Sequence, residues 1–111
     1  MNIKIEEGPV TLVEMNGDLD AESAPLVQEA IWPYLKDGCN LLLDMSRVDW
    51  ISSAGLRLFL TIRRQTQNKG LVVLCGLSPE IKDTMGVTGF IEYFLLADTV
   101  QQGRLILGQR Y

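Results

Sequence analysis

The chain has 111 residues, of which 47% are apolar and 22% charged, and its formal net charge is −4. This composition is typical of a folded globular protein, and the length predicts one domain over residues 1–111 with a single core. The acidic balance disfavours nucleic acid and anionic membranes as partners, because both bind basic patches.

Cysteine and histidine usage narrows the chemistry further. The chain has no histidine and two cysteines, Cys39 and Cys75, so we expect no metal site. Both cysteines fall in or beside predicted buried strands, where a free thiol behaves as a small apolar residue, and we expect no disulfide. No apolar run is long enough to cross a bilayer and the N-terminus lacks the core of a secretion signal, so we expect a cytoplasmic protein.

The N-terminal part predicts two strands. Ile3 and Ile5 alternate with polar residues between Met1 and Glu7, which is typical of a half-buried strand. Gly8-Pro9 turns the chain, and a second strand runs from Val10 to Met15. The short connection predicts antiparallel pairing at one edge of a sheet.

A helix is predicted from Ser23 to Lys36, preceded by Asp20, which can cap it or accept loop hydrogen bonds. Pro33 lies inside this pattern and predicts a kink or early loosening near residues 29–32, because proline has no N–H to donate. Gly38 is well placed for the C-terminal cap.

The middle of the chain predicts a β-α-β unit. The strand from Cys39 to Met45 has an apolar centre that indicates burial on both faces. A helix follows from about Ser53 to Asn68, and a second apolar strand covers residues 71–75. Such a crossover joins parallel strands.

The C-terminal part predicts two more helices and a short strand. Ser78 as N-cap and Pro79 at the first position predict a helix that stops near Gly86. Residues 93–96 predict a short fifth strand. A last helix, capped by Asp98 or Thr99, is expected to reach about Leu107, although residues 105–107 can also be read as extended.

Two motifs carry a family resemblance. Asp44-Met45-Ser46, then Trp50-Ile51, then the run from Ser52 to Leu56 resemble the signature of STAS domains, in particular the stand-alone anti-sigma factor antagonists. That signature reads D-x-S, a hydrophobic pair, and D-S-[ST]-G-L at the start of the second helix. The run from Gly17 to Asp20 resembles the G-x-L-D that precedes the first helix in the same family.

The resemblance implies a phosphorylation site. The family's phosphoacceptor is the serine before [ST]-G-L, and the matching position is Ser53, although Ser52 or Ser53 can equally serve as an ordinary helix cap. The sequence departs from the signature twice, with Ser52 in place of the usual Asp and Ala54 in place of the usual Ser or Thr. The first departure leaves Ser52 as a possible second acceptor.

The resemblance also implies fold and function. The expected fold is the α/β STAS fold, a mixed, mostly parallel sheet of four to five strands with about four helices. The unphosphorylated chain is expected to bind an anti-sigma factor serine kinase, which then releases its sigma factor. Phosphorylation of Ser53 is expected to switch this binding off, and a metal-dependent serine phosphatase is expected to reset the switch. The chain itself is expected to need no cofactor. The expected partner surface comprises Asp20, Asp44, Ser46, Ser52, Ala54, Gly55, Leu56 and Arg57.

The sequence also bears on other classes of function. Catalysis is not expected, because the chain lacks histidine and contains no Ser-x-x-Lys, Gly-x-Ser-x-Gly or P-loop spacing. One alternative is an STAS scaffold that is never phosphorylated, as a subunit of a stressosome-like or lipid-transport complex. A weak nucleotide-binding or hydrolase domain is another.

Overall fold

A computed structural model describes residues 1–35, 40–66 and 70–108. Its elements follow one another as two strands and then alternating strands and helices. The strands are β1 (Asn2–Glu6), β2 (Thr11–Asn16), β3 (Leu41–Arg47), β4 (Val72–Cys75) and β5 (Leu95–Ala97), and the helices are α1 (Ser23–Ile31), α2 (Ser53–Thr66), α3 (Pro79–Thr88) and α4 (Val100–Gly108).

The strands form one sheet whose spatial order is the chain order, β1-β2-β3-β4-β5. β1 pairs with β2 antiparallel, and the remaining neighbours are parallel. The predicted fold, a mixed and mostly parallel sheet with an antiparallel edge pair, is therefore confirmed. Because β2, β3, β4 and β5 run the same way, the loops that follow them emerge at one edge of the sheet.

The hydrophobic core lies on both faces of the sheet. Side chains of β3 alternate between them: Leu41 and Leu43 pack in the larger cluster with α1, α2 and α3, whereas Leu42 packs in the smaller one with Leu107 of α4. The predicted burial of β3 on both faces is thus confirmed, since Leu41, Leu42 and Leu43 are fully inaccessible to solvent.

Helix α1 is shorter than its apolar pattern predicts. It ends at Ile31, and residues 32–34 form a single 3-10 turn that contains Pro33. The predicted end at Lys36 is wrong because proline cannot continue the helical hydrogen bonding, and the predicted loosening near Trp32 is confirmed. The predicted roles of Gly38 and Cys39, and the predicted end of the second helix at Asn68, lie outside the described residues.

Helix α3 is longer than predicted. Ser78 is its N-cap and Pro79 its first residue, as expected, but the helix passes through Gly86 and ends at Thr88, with Gly89 as the C-cap in a left-handed conformation (φ 80°). The predicted stop at Gly86 is wrong. A 3-10 turn, residues 90–93, then displaces the fifth strand to Leu95–Ala97.

Helix α4 settles the two interpretations of the C-terminal run in favour of a helix. It begins after Thr99, whose Oγ1 accepts from the Gln102 N–H at 3.1 Å. Gly103 is buried in it, and a Cβ there would overlap the side chain of Leu42. The glycine that weakens the helix by propensity therefore lets it lie directly on β3.

Candidate functional site at the start of helix α2

Two loops that follow the carboxyl ends of neighbouring parallel strands are hydrogen-bonded to each other through Leu19. The Leu19 N–H donates to the Trp50 carbonyl at 2.9 Å, and the Ser52 N–H donates to the Leu19 carbonyl at 2.9 Å. These bonds make an isolated parallel bridge between Leu19 and Ile51, both of which are buried. We call this arrangement the Leu19 clamp. It joins the loop that precedes α1 to the loop that precedes α2.

Helix α2 starts directly on the Leu19 clamp. A Cβ at Gly55 would lie 2.6 Å from Ile51 Cγ1, 2.9 Å from Leu19 Cγ and 3.0 Å from the Leu19 carbonyl oxygen. Real Cβ atoms do not approach other heavy atoms this closely, so only glycine allows the first turn of the helix to sit so near the clamp. Gly55 therefore fixes the position of the serines before it.

The two serines have separate roles in the structure. The Ser52 Oγ accepts from the Ala54 N–H at 3.2 Å and from the Gly55 N–H at 3.4 Å, which makes Ser52 the N-cap. Ser53 is the first helical residue, and its side chain is exposed and forms no hydrogen bond within the described ranges 1–35, 40–66 and 70–108. One hydroxyl is thus engaged by the helix and the next one is free.

Asp20 organises the loop on the other side of the clamp. Its Oδ1 accepts from the backbone N–H groups of Glu22 and Ser23, each at 3.0 Å, and lies 3.2 Å from the Ser23 hydroxyl. The hydrogen bond from the Ser23 N–H, followed by the other donors, lowers the pKa of the carboxyl below its ordinary value, although partial desolvation opposes the shift. Asp20 therefore caps the turn that opens α1, and its position beside Leu19 brings it close to Ser52.

The end of β3 contributes a second polar group. The Asp44 Oδ1 accepts from the Ser46 N–H at 3.0 Å, which stabilises the end of the strand, and Ser46 is exposed. Asp44 lies opposite Cys75 in the register of β3 and β4. Burial, and secondarily the Asp44 charge, raises the pKa of the Cys75 thiol to about 11, so this free cysteine is a packing group and a poor nucleophile.

The predicted partner residues divide by accessibility. Ser46 and Arg57 are exposed, as is the predicted phosphoacceptor Ser53, and four partner residues are partly accessible: Asp20, Asp44, Ser52 and Ala54. Gly55 and Leu56 are buried, so they position the helix from inside and offer no side chain to a docking protein. The clamp brings the Asp20 loop and the Ser52 loop together, whereas Asp44 and Ser46 lie on β3 itself, before the Ser52 loop in the chain.

Sequence reasoning missed two kinds of residue at this site. Leu19 and Ser23 position the loop, the latter by donating from its Oγ to the Asp18 carbonyl at 2.8 Å. Nothing in the local pattern marks such long-range backbone pairing. Trp50 matches the motif as half of a hydrophobic pair, but it is 54% exposed. A tryptophan that follows Asp49 and lies two residues before Ser52 is the signal that could have found it.

Within the described part of the chain, no group of three or more His, Cys, Asp or Glu side chains is arranged to hold a metal ion. None of the helices in those same ranges is both long enough and apolar enough to span a bilayer.

Comparison with known proteins identifies the family. A family model for the STAS domain matches residues 1–103. An anti-sigma-B factor antagonist of Listeria monocytogenes is 31% identical over 93 residues, which cover 80% of this chain and 82% of that protein. The chain belongs to the STAS domain family, and the resemblance predicted from its two motifs is confirmed.

Three further comparisons agree with this membership. A Bordetella bronchiseptica protein named as a candidate anti-sigma factor antagonist, BtrV, is 40% identical over 61 residues, so the match spans 54% of this chain and about half, 53%, of that protein. Unphosphorylated SpoIIAA, an anti-sigma factor antagonist, has the same fold with a TM-score of 0.76 at 16% identity, over 99% of this chain and 100% of that one. The Bacillus SpoIIAA structure in its phosphorylated form gives a TM-score of 0.67 at 17% identity, over 90% and 94%.

Proposed function

We propose that this chain is an anti-sigma factor antagonist controlled by phosphorylation of Ser53. In the unphosphorylated form it binds an anti-sigma factor serine kinase, which then releases its sigma factor. The kinase transfers a phosphoryl group from ATP to the Ser53 Oγ, the complex dissociates, and a metal-dependent serine phosphatase restores the hydroxyl. Because the kinase uses ATP, both proteins act in the cytoplasm. The chain needs no cofactor of its own.

The observation that carries the proposal is the division of labour between Ser52 and Ser53. The Ser52 Oγ accepts two backbone N–H groups, whereas the Ser53 side chain is exposed at the first position of α2. A modifying enzyme can reach Ser53 without breaking a contact that the fold uses. The same geometry argues against Ser52 as the acceptor, since its modification would replace the helix cap. The names of the Listeria and Bordetella relatives support the same function.

Electrostatics explains how the modification can be tolerated by the fold and rejected by the partner. Phosphoserine carries about −1.5 to −2 charges at pH 7. The first turn of α2 contains no acidic residue, so the positive end of its dipole has no counter-charge from its own helix. The added charge is favourable there in the free protein. In the complex it must lose its water, and a loss of about 3 kcal/mol weakens binding roughly a hundredfold.

Two measurements test the proposal. Each candidate anti-sigma factor kinase of the source organism is purified, mixed with the chain and ATP, and the product is mapped by mass spectrometry. We expect one phosphate on Ser53, none on the S53A variant, and phosphorylation of S52A at Ser53. A phosphate on any other residue, or none with every kinase, would overturn the proposed switch.

The second measurement is a binding titration against the same kinases. S53D is expected to lower affinity about a hundredfold. Q65E is the matched control, because Gln65 is an exposed residue of the same helix about 18 Å further along its axis and the variant adds the same charge. Q65E is expected to bind as the wild type does. Equal affinities of S53D and wild type would refute the charge mechanism.

A further inference from the structure

Trp50 has a large apolar side chain that is exposed to solvent close to the proposed phosphorylation site. It is 54% exposed, although it lies between Asp49 and the buried Ile51. Its carbonyl accepts from the Leu19 N–H, and the bridge at Ile51 fixes the next residue. The indole is therefore carried by backbone that is hydrogen-bonded to another segment, only three residues before Ser53.

Three acidic residues lie next to Trp50 along the chain or across the Leu19 clamp. Asp49 precedes it, and the Leu19 clamp places Asp18 and Asp20 beside it on the adjoining loop. Asp18 and Asp49 are exposed. The nearest exposed cations on the same segments are Arg47 at the end of β3 and Arg57 in the second turn of α2. An apolar ring inside an acidic rim matches a partner surface with an apolar pocket and basic residues around it.

We propose that Trp50 is the anchor of the docking surface, inserting its indole into an apolar, basic-rimmed pocket of the protein that docks over Ser53. This inference rests on the proposed function and adds the residue that supplies its affinity. A tryptophan has only two side-chain torsions to fix, and its backbone is already held, so docking orders little and buries much apolar area. Phosphorylation at Ser53 then acts beside the anchor, where water is excluded from the complex.

The acidic rim also selects among the occupants of this surface. A second copy of the chain would set Asp18, Asp20 and Asp49 against their equivalents, and like charges across an interface oppose association. The chain as a whole carries a net charge of −4, which adds to that repulsion. A basic partner protein meets the opposite situation.

The test uses the anti-sigma factor kinase that binds the wild-type chain in the binding titration. W50A is compared with W32A, since Trp32, in the 3-10 turn after α1, is 48% exposed and lies on a different element. We expect W50A to weaken binding at least tenfold and W32A to change it less than threefold, with both variants unfolding in urea at the wild-type midpoint. W50F, which keeps a ring, is expected to fall between.

Fluorescence supplies a readout that does not depend on affinity. Trp32 and Trp50 are the only two tryptophans, so W32F leaves Trp50 as the sole reporter and W50F leaves Trp32. Adding the kinase should shift the W32F emission to the blue and protect it from acrylamide, and leave the W50F emission unchanged.

The outcomes separate the inference from the proposed function. If S53D loses affinity while W50A does not, the switch stands and the anchor is refuted. If the W32F emission stays solvent-exposed in the complex, or if Trp50 proves to mediate a homodimer by sedimentation, the anchor is likewise refuted. If no kinase binds the wild-type chain, both proposals fall together.

Discussion

The loops from β3 to α2 and from β4 to α3 solve the same structural problem with the same residue. In each, a buried parallel strand ends and a serine caps the next helix. Ser52 accepts from backbone N–H groups at 3.2 and 3.4 Å, and Ser78 accepts from the Ile81 N–H at 3.2 Å. Each loop is also fastened to a neighbour, the first to Leu19 and the second through the Gly76 N–H, which donates to the Ala97 carbonyl at 3.2 Å.

The loops differ in the residues that come after the cap. Ser52 precedes the exposed Ser53 and a first turn without acid, whereas Ser78 precedes Pro79 and Glu80. The α3 start therefore has no spare hydroxyl and already carries a negative charge. Both loops have a serine cap, so the cap alone does not distinguish the proposed phosphorylation site. A second, unused hydroxyl and an uncompensated helix dipole distinguish the loop before α2.

The largest expected effect concerns the glycine that seats α2 on the clamp. G55A should destabilise the protein by about 1–3 kcal/mol, because the new Cβ collides with Ile51 and Leu19. Gly86 in α3 is the matched control: a Cβ there meets nothing within 4 Å, and G86A should stabilise by about 0.5–1 kcal/mol. Urea unfolding measures both. If G55A left the free energy of unfolding unchanged, the Leu19 clamp would be able to shift at little energetic cost.

The two serine caps should contribute nearly equally to the free energy of unfolding. S52A and S78A are each expected to cost about 1 kcal/mol of unfolding free energy, because each leaves backbone donors of one helix start without a side-chain acceptor. S53A should change stability by less than about 0.5 kcal/mol, since its side chain is exposed. If S53A were as destabilising as S52A, the hydroxyl at position 53 would not be free for modification.

Opposite charge changes at the two helix starts should have opposite signs. S53D adds an acid where α2 has none and should raise stability by about 0.3–1 kcal/mol, and E80Q removes the acid in the first turn of α3 and should lower stability by a similar amount. Both effects should shrink in about 1 M salt. Destabilisation by S53D would undermine its use as a mimic of the phosphorylated state.

The smallest effect is expected at Asp20 and appears only in acid. Its pKa is lower in the folded protein than the ordinary 3.8, so its contribution to stability is complete above that value and is lost as the pH falls below it. D20N should therefore lose less stability than the wild type between about pH 6 and pH 3. Thermal unfolding across this range checks the sign, and identical acid sensitivity in the two proteins would contradict it.

Much of this architecture could be predicted because local pattern and burial agree. The run from Leu41 to Leu43 indicates a strand with two buried faces, and it lies in the centre of the sheet. Ser78 and Pro79 mark the start of α3 correctly. The errors fall at helix ends: α1 ends earlier than predicted, before Pro33, and α3 continues past Gly86. Where a helix ends depends on tertiary packing as well as on local residues, and the sequence pattern does not show that packing.

The site was harder to predict than the fold. The motif predicts Ser53 as the phosphoacceptor, but which serine caps α2 depends on backbone positions that are set by Leu19, more than 30 residues away in the chain. The close approach at Gly103 likewise depends on Leu42, in another element. Both are contacts between distant segments, and periodicity along one segment carries no information about them.

The hydrogen bonds around Leu19 mean that the surface near Ser53 is composite, built from segments that only the folded chain brings together. A synthetic peptide copying residues 44–60 would have the serines, Trp50 and Asp49, but it would lack Asp18, Asp20 and the hydrogen bonds to Leu19 that hold the backbone of Trp50 in place. Such a peptide should be a poor substrate and a poor competitor. Searches for inhibitors of this surface, and attempts to graft it onto other scaffolds, would therefore start from the intact domain.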